Sequence, residues 1–148
     1  MNVLVDTSAW SAALRRRGAP SAEDAEIARE LSDLIHEGRA LLAGPIRQEI
    51  LSGISDPAQF RLLRDRLRAF DDLPIRTADY ERAAEFSNTC RQAGIQGSHV
   101  DFLVCSVAAG GGASIFTTDR DFGRYAKLLP IVLHAPRRHA ARERGSAP

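Results

Sequence analysis

Short apolar runs alternate along this chain with longer stretches whose apolar residues recur at helical spacing. Asn2 to Val5 is such a run and ends in Asp6-Thr7-Ser8, which predicts a buried strand turning into a helix. Ser21-Ala22-Glu23-Asp24 resembles a capping box and opens a helix with Ile27, Leu31, Leu34 and Ile35 on one face, ended by Gly38. Leu41-Leu42-Ala43 predicts a second strand, and Gly44-Pro45 starts another helix with proline in the first turn, where it is favoured. Beyond Gly53 and Asp56-Pro57, Phe60, Leu63, Leu67 and Phe70 form an apolar stripe. Arg61, Arg64, Arg66 and Arg68 occupy a solvated face of the same helix. Leu73-Pro74-Ile75 predicts a third strand, and Thr77 caps a helix running to Gly94. Ser98 opens a further helix closed by Gly110-Gly111-Gly112, Ser114 to Thr117 reads as a fourth strand, Asp119 to Lys127 as a short helix and Ile131-Val132-Leu133 as a last strand.

Strands of three to five apolar residues separated by helices predict an α/β fold of three layers, α/β/α, with a short, mostly parallel central sheet. No internal repeat or second-domain boundary is visible, so residues 1–134 form one domain and residues 135–148 a basic, disordered tail. The length of 148 residues suffices to bury about 70% of the unfolded surface. A content of 44% hydrophobic and 26% charged residues excludes disordered and collagen-like chains. No apolar run approaches the ~20 residues of a membrane span, and Met1 to Asp6 lacks the charged start of a signal peptide. Cys90 and Cys105 both fall in helix-like segments, which argues against a disulfide framework and fits a reducing cytoplasm. No Cys/His cluster has zinc spacing.

The net charge of +1 hides an asymmetry. Four of the twenty basic residues and one of the nineteen acidic residues lie in 134–148, leaving a +3 tail on a −2 body. A DNA reader would show a basic body instead. Arg15-Arg16-Arg17-Gly18-Ala19-Pro20 reads as a basic loop.

The acids carry more information. Open parallel sheets place their ligand sites beyond the carboxyl ends of the strands. Asp6 follows the first strand, Asp119 and Asp121 follow the fourth, and Glu49 lies about one and a half turns into the helix after the second. Local pattern leaves open which end of the sheet receives Asp101. Each acid has a structural alternative: Asp6 and Asp119 as helix caps, Asp101 as half of a capping box with Ser98, Glu49 as an exposed helix residue. No alternative nucleophile stands out, since His36, His99 and His134 sit near element ends.

In order along the chain, Asp6-Thr7-Ser8, Arg47-Gln48-Glu49-Ile50-Leu51-Ser52-Gly53, the segment from Asp101 to Ala108, and Thr117-Thr118-Asp119-Arg120-Asp121-Phe122 resemble the PIN domain. Within that family the chain looks most like a VapC toxin of a bacterial type II toxin–antitoxin system, over about residues 1 to 134. The resemblance implies catalytic and metal-binding roles for Asp6, Glu49, Asp101 and Asp119, and auxiliary roles for Asp121, Thr7 and Thr117, with Ser8 helping to orient the first carboxylate. Thr118 departs from the asparagine usual in the family, and the four acids are intact. The implied activity is an endoribonuclease leaving 5′-phosphate and 3′-hydroxyl ends, with RNA as substrate, a VapB-like antitoxin as partner, a homodimer as assembly and no membrane association.

The chemistry suits those residue types. Carboxylates crowded in one crevice repel one another until a cation neutralises them. Mg²⁺ or Mn²⁺ matches all-oxygen ligands, and a metal-bound water can attack phosphorus in line. Two other classes compete. A phosphoryl-transfer domain using Asp6 as nucleophile needs a neighbouring acid and a lysine, yet Asp6 precedes Thr7 and Ser8 and the only lysine is Lys127. A non-catalytic module would use the acidic pocket as a socket for an antitoxin's arginine.

Overall fold

A computed structural model describes residues 1–14 and 21–138. The expected basic loop at 15–20 and the tail from 139 onward lie outside the described residues. The elements, in order, are β1 (Val3–Val5), α1 (Thr7–Leu14), α2 (Ala22–His36), β2 (Ala40–Leu41), α3 (Gly44–Ser52), α4 (Pro57–Leu67), α5 (Thr77–Gln92), α6 (His99–Gly111), β3 (Ser114–Phe116) and α7 (Asp121–Tyr125).

The strands pair in parallel in the order β2-β1-β3, with Val3 opposite Ala40 and Ser114, and Val5 opposite Phe116. Val3, Leu4 and Val5 have no exposed surface at all, so both faces of the central strand are covered. α6 packs on β1 and β3 and pairs with α5, while α2 packs on β2 and pairs with α1. The parallel α/β fold therefore stands as read from the sequence.

The third and last predicted strands shrink to single parallel bridges, Leu42 with Asp72 and Ile115 with Leu133. Leu73 N–H donates to the Leu42 carbonyl at 2.9 Å, and Pro74, whose missing N–H would face away from Leu42, is tolerated at this edge. Arg47 reinforces this edge, donating to Asp72 Oδ1 at 2.9 Å and to the Leu67 and Phe70 carbonyls at 2.9 and 2.6 Å.

Local signals set most helix ends. Ser21, Asp56 and Ser98 each accept the N–H three residues on, at 3.0, 3.0 and 3.1 Å. Gly38, Gly94 and Gly112 take the left-handed conformation that ends α2, α5 and α6. α5 departs from expectation: its N-cap is Arg76, whose N–H is held by Asp79 Oδ2 at 2.9 Å, and Thr77 is already helical. α7 is shorter than expected and begins at Asp121.

The first residues of the expected tail are fixed. Glu30, buried on α2, accepts from His134 Nε2 at 2.7 Å and Arg137 Nε at 2.9 Å, and Arg137 also reaches Glu37 at 2.7 Å. Burial raises the Glu30 pKa, but the hydrogen bonds from His134 and Arg137 outweigh it and hold the carboxyl below its ordinary value.

Candidate active site

Asp6 lies where β1 gives way to α1. Its N–H completes the ladder to the Phe116 carbonyl at 2.9 Å, and its own carbonyl accepts from Ala9 and Trp10. Its carboxylate is buried, and Oδ2 accepts from Ser8 Oγ at 3.0 Å and Thr117 Oγ1 at 2.9 Å. Each hydroxyl in turn accepts a backbone N–H, Thr118 on Ser8 at 2.9 Å and Asp119 on Thr117 at 3.0 Å. The two hydroxyls also lie 3.0 Å from each other, so Ser8, Thr117 and the Asp6 carboxylate form one hydrogen-bonded cluster. The loop after β3 is thereby fastened to the loop after β1.

That fastening also places Asp119. Its Oδ1 accepts the Asp121 N–H at 2.9 Å, so the capping role considered from the sequence coexists with a position on the cavity wall. Glu49, exposed on α3, accepts the Thr7 hydroxyl at 3.1 Å. Asp101 lies in the first turn of α6, half-buried, with Oδ2 accepting the Tyr125 hydroxyl at 2.9 Å. Burial raises the Asp101 pKa first of all; hydrogen bonds from Tyr125 and Ser98 pull it down, and the charges of Asp6 and Asp119 push it up again. The Tyr125 pKa is pushed up by burial, then by its bond to Asp101, so the phenol stays a donor.

Asp6, Glu49, Asp101 and Asp119 thus line one cavity of about 420 Å³, together with Thr7, Ser8, Ser11 and Thr118. Glu23 and Asp24, from the first turn of α2, line it as well. No basic side chain lines it among the described residues. Asp121 is not on this wall; its carboxylate pairs with Arg124 and only its N–H touches Asp119. Thr117 stands behind Asp6 as its hydrogen-bond donor.

Among the described residues no three His, Cys, Asp or Glu side chains close into a ready-made metal cage. Six carboxylates on one wall, with no counter-charge among the described residues, nevertheless suit a hard cation. Mg²⁺ keeps several waters and takes one or two protein carboxylates, so it does not require a tight cage.

A family model of the PIN domain matches residues 3–128. The chain belongs to the PIN-domain family. Members of that family are in general nucleases. Comparison with curated proteins finds no match. Solved structures with the same fold include FitAcB from Neisseria gonorrhoeae, at TM-score 0.72 and 19% identity over 90% of this chain and 97% of that one. VapBC2 from Rickettsia felis bound to a DNA fragment from its promoter aligns at TM-score 0.68 and 17% identity, over 90% and 98% of the two chains. VapBC-1 from nontypeable Haemophilus influenzae aligns at TM-score 0.66 and 17% identity, over 87% and 96%.

In this PIN domain, two kinds of wall or supporting residue escape sequence reasoning. Glu23 and Asp24 read only as cap chemistry, because the packing of α2 against α1 is a tertiary contact that local sequence does not encode. Tyr125 falls within the short helix expected from Asp119 to Lys127 and has no role in the sequence reading. Its hydroxyl is the available signal, since a buried phenol needs a partner.

Proposed function

We propose that this PIN domain is a Mg²⁺- or Mn²⁺-dependent endoribonuclease and the toxin of a VapBC-type toxin–antitoxin pair. The observation that carries the reading is the cavity itself. Asp6, Glu49, Asp101 and Asp119 reach it from four separate segments, with no basic side chain beside them among the described residues.

Carboxylates from the set Asp6, Glu49, Asp101 and Asp119 would hold the cation, which when bound would make a water acidic enough to give up a proton near neutral pH and so supply a nucleophile for phosphorus. The chain's own work is orientation. Ser8 and Thr117 fix Asp6, Thr7 fixes Glu49, and Tyr125 fixes Asp101. No lysine lines the cavity, which disfavours the aspartyl-phosphate alternative.

The VapBC and FitAcB structures sharing this fold support a VapB-like antitoxin as partner. A homodimer follows from the same family reading, and a cytoplasmic site of action from the two cysteines in helical segments; no helix of the described residues is long and apolar enough to cross a membrane. Residues 1–134 would form the nuclease domain and 135–148 its basic tail. The acid-lined cavity also fits a partner's guanidinium, which is the non-catalytic reading.

The test is cleavage of defined RNAs by purified protein in Mg²⁺, in Mn²⁺ and in chelator, with mapping of the product ends. Metal-dependent products with 5′-phosphate ends that vanish in Asp6→Asn support the nuclease. Equal cleavage by wild type and Asp6→Asn, or none by either, overturns it, and the second outcome leaves the socket.

A further inference from the structure

Tyr125 has no exposed surface, and its ring sits between Phe102, at a centroid distance of 5.0 Å, and Phe122, at 5.3 Å. Phenylalanine would fill that space equally well. The added hydroxyl is unfavourable in such a setting unless it is bonded, and its partner is Asp101 Oδ2 at 2.9 Å. Asp101 has a competing local option. Its N–H already bonds Ser98 Oγ at 3.1 Å, half of a capping box whose other half would turn the carboxylate back onto the Ser98 N–H. Tyr125 draws the carboxylate toward α7 and the cavity instead.

Gly97 completes the device. A methyl group there would collide with the Tyr125 hydroxyl, and would stand 2.8 Å from Tyr125 Cζ and 2.9 Å from Phe102 Cζ. Neither ring can retreat, because both are buried and packed on each other. Gly97 does not have a positive φ, so its lack of a side chain is explained by this close approach and not by backbone conformation.

We propose that Tyr125 and Gly97 form a positioning unit for Asp101: the phenol sets the rotation of the carboxylate, and the bare Cα of Gly97 leaves the phenol room to reach it. The proposal rests on the metal reading above. Groups that orient a ligand from behind commonly change metal affinity 10–100-fold when removed.

The experiment is Mn²⁺ titration of full-length protein, followed by electron paramagnetic resonance and by calorimetry, beside RNA cleavage kinetics. Tyr125→Phe keeps the ring packing. It should raise the half-saturating Mn²⁺ concentration about tenfold, and at saturating Mn²⁺ it should lower kcat while KM for RNA stays constant. Gly97→Ala should weaken Mn²⁺ binding similarly, yet add little in the Tyr125→Phe background because the two act through one link. Wild-type Mn²⁺ affinity in Tyr125→Phe, or full additivity of the pair, overturns the proposal and leaves the metal reading standing. No Mn²⁺ binding by wild type overturns both. Should Tyr125→Phe fail to fold, Gly97→Ala decides alone, and unchanged affinity there overturns the proposal.

Discussion

Thr7 donates its hydroxyl to Glu49 Oε2 across 3.1 Å, linking side chains 42 residues apart on α1 and α3. Glu49 is exposed, so this bond contributes little to stability and acts by limiting where the carboxylate points. Thr7→Val keeps the shape and deletes the donor. Its unfolding free energy should stay within about 0.5 kcal/mol of wild type, whereas single-turnover RNA cleavage should fall about tenfold. Unchanged cleavage would show that Glu49 needs no orienting.

Crowding of the acids gives a stability prediction with a definite sign. The Asp101 pKa is raised in the fold, by burial and then by Asp6 and Asp119, so its ionised form costs stability above the folded pKa. That cost disappears as pH falls below the unfolded pKa. Asp101→Asn removes the charge and keeps an oxygen for Tyr125 to donate to. In chelator at neutral pH its Tm should exceed the wild-type value by about 2–4 °C. Saturating Mn²⁺ should raise the wild-type Tm and leave the variant nearly unmoved. RNA cleavage should be mostly lost. Thermal melts of both proteins in chelator and in Mn²⁺ check all but the last, which needs the cleavage assay.

Glu30 gives the opposite sign. Its carboxyl is held below the ordinary value by His134 and Arg137, against burial, so its stabilisation is fully present above the unfolded pKa and is lost as pH falls through the folded pKa. Glu30→Gln should cost about 2 kcal/mol at neutral pH. The gap between variant and wild type should close only in the acid range, below the usual carboxylate pKa. Urea unfolding of both proteins from neutral to acidic pH measures it, and a gap independent of pH would rule out the ionised carboxylate as its source.

Removal of residues 139–148 leaves the Arg137 anchor intact. If the tail serves only to attract phosphate, RNA binding should weaken most at low salt. The salt dependence should flatten by about 0.7 in log–log slope for each phosphate that the shortened chain no longer neutralises. Filter binding across a salt series tests this, with the cleavage position expected to stay where it is. A moved cut site would make the tail part of recognition.

Asp6 and Asp119 are legible in the sequence as wall residues because a parallel sheet presents its carboxyl edge to ligands; Asp6 follows its strand directly and Asp119 lies in the loop after its own. Asp101 cannot be placed by local pattern. The reason is visible in α6, whose first turn stands at that edge and whose last turn, at Gly112, feeds the start of β3. A helix between two strands can deliver its first acid there only if it runs antiparallel to them, which is a tertiary fact. Caps at Ser21, Asp56 and Ser98 are local and therefore readable. The edge bridges at Asp72 and Leu133 look like longer strands in the sequence, since an apolar triplet says nothing about how many of its N–H groups find a partner. The fixed start of the tail is hidden because Glu30 and His134 are 104 residues apart.

The pairing of β1 with β3 also sets a schedule for the nascent chain. β1 is the first strand made, yet its neighbour on one side ends at Phe116, and Asp6 donates its ladder N–H there. At about 5–20 residues per second, synthesis brings Phe116 roughly 6–22 s after Val5. Until then the central strand has an open edge, and Asp6 lacks Thr117 to hold it. Asp119 arrives later still, so no amino-terminal fragment that stops short of it carries the complete cavity wall. A ribosome stalled before that point therefore displays an incomplete site, and the last acid to be translated is the one that closes it.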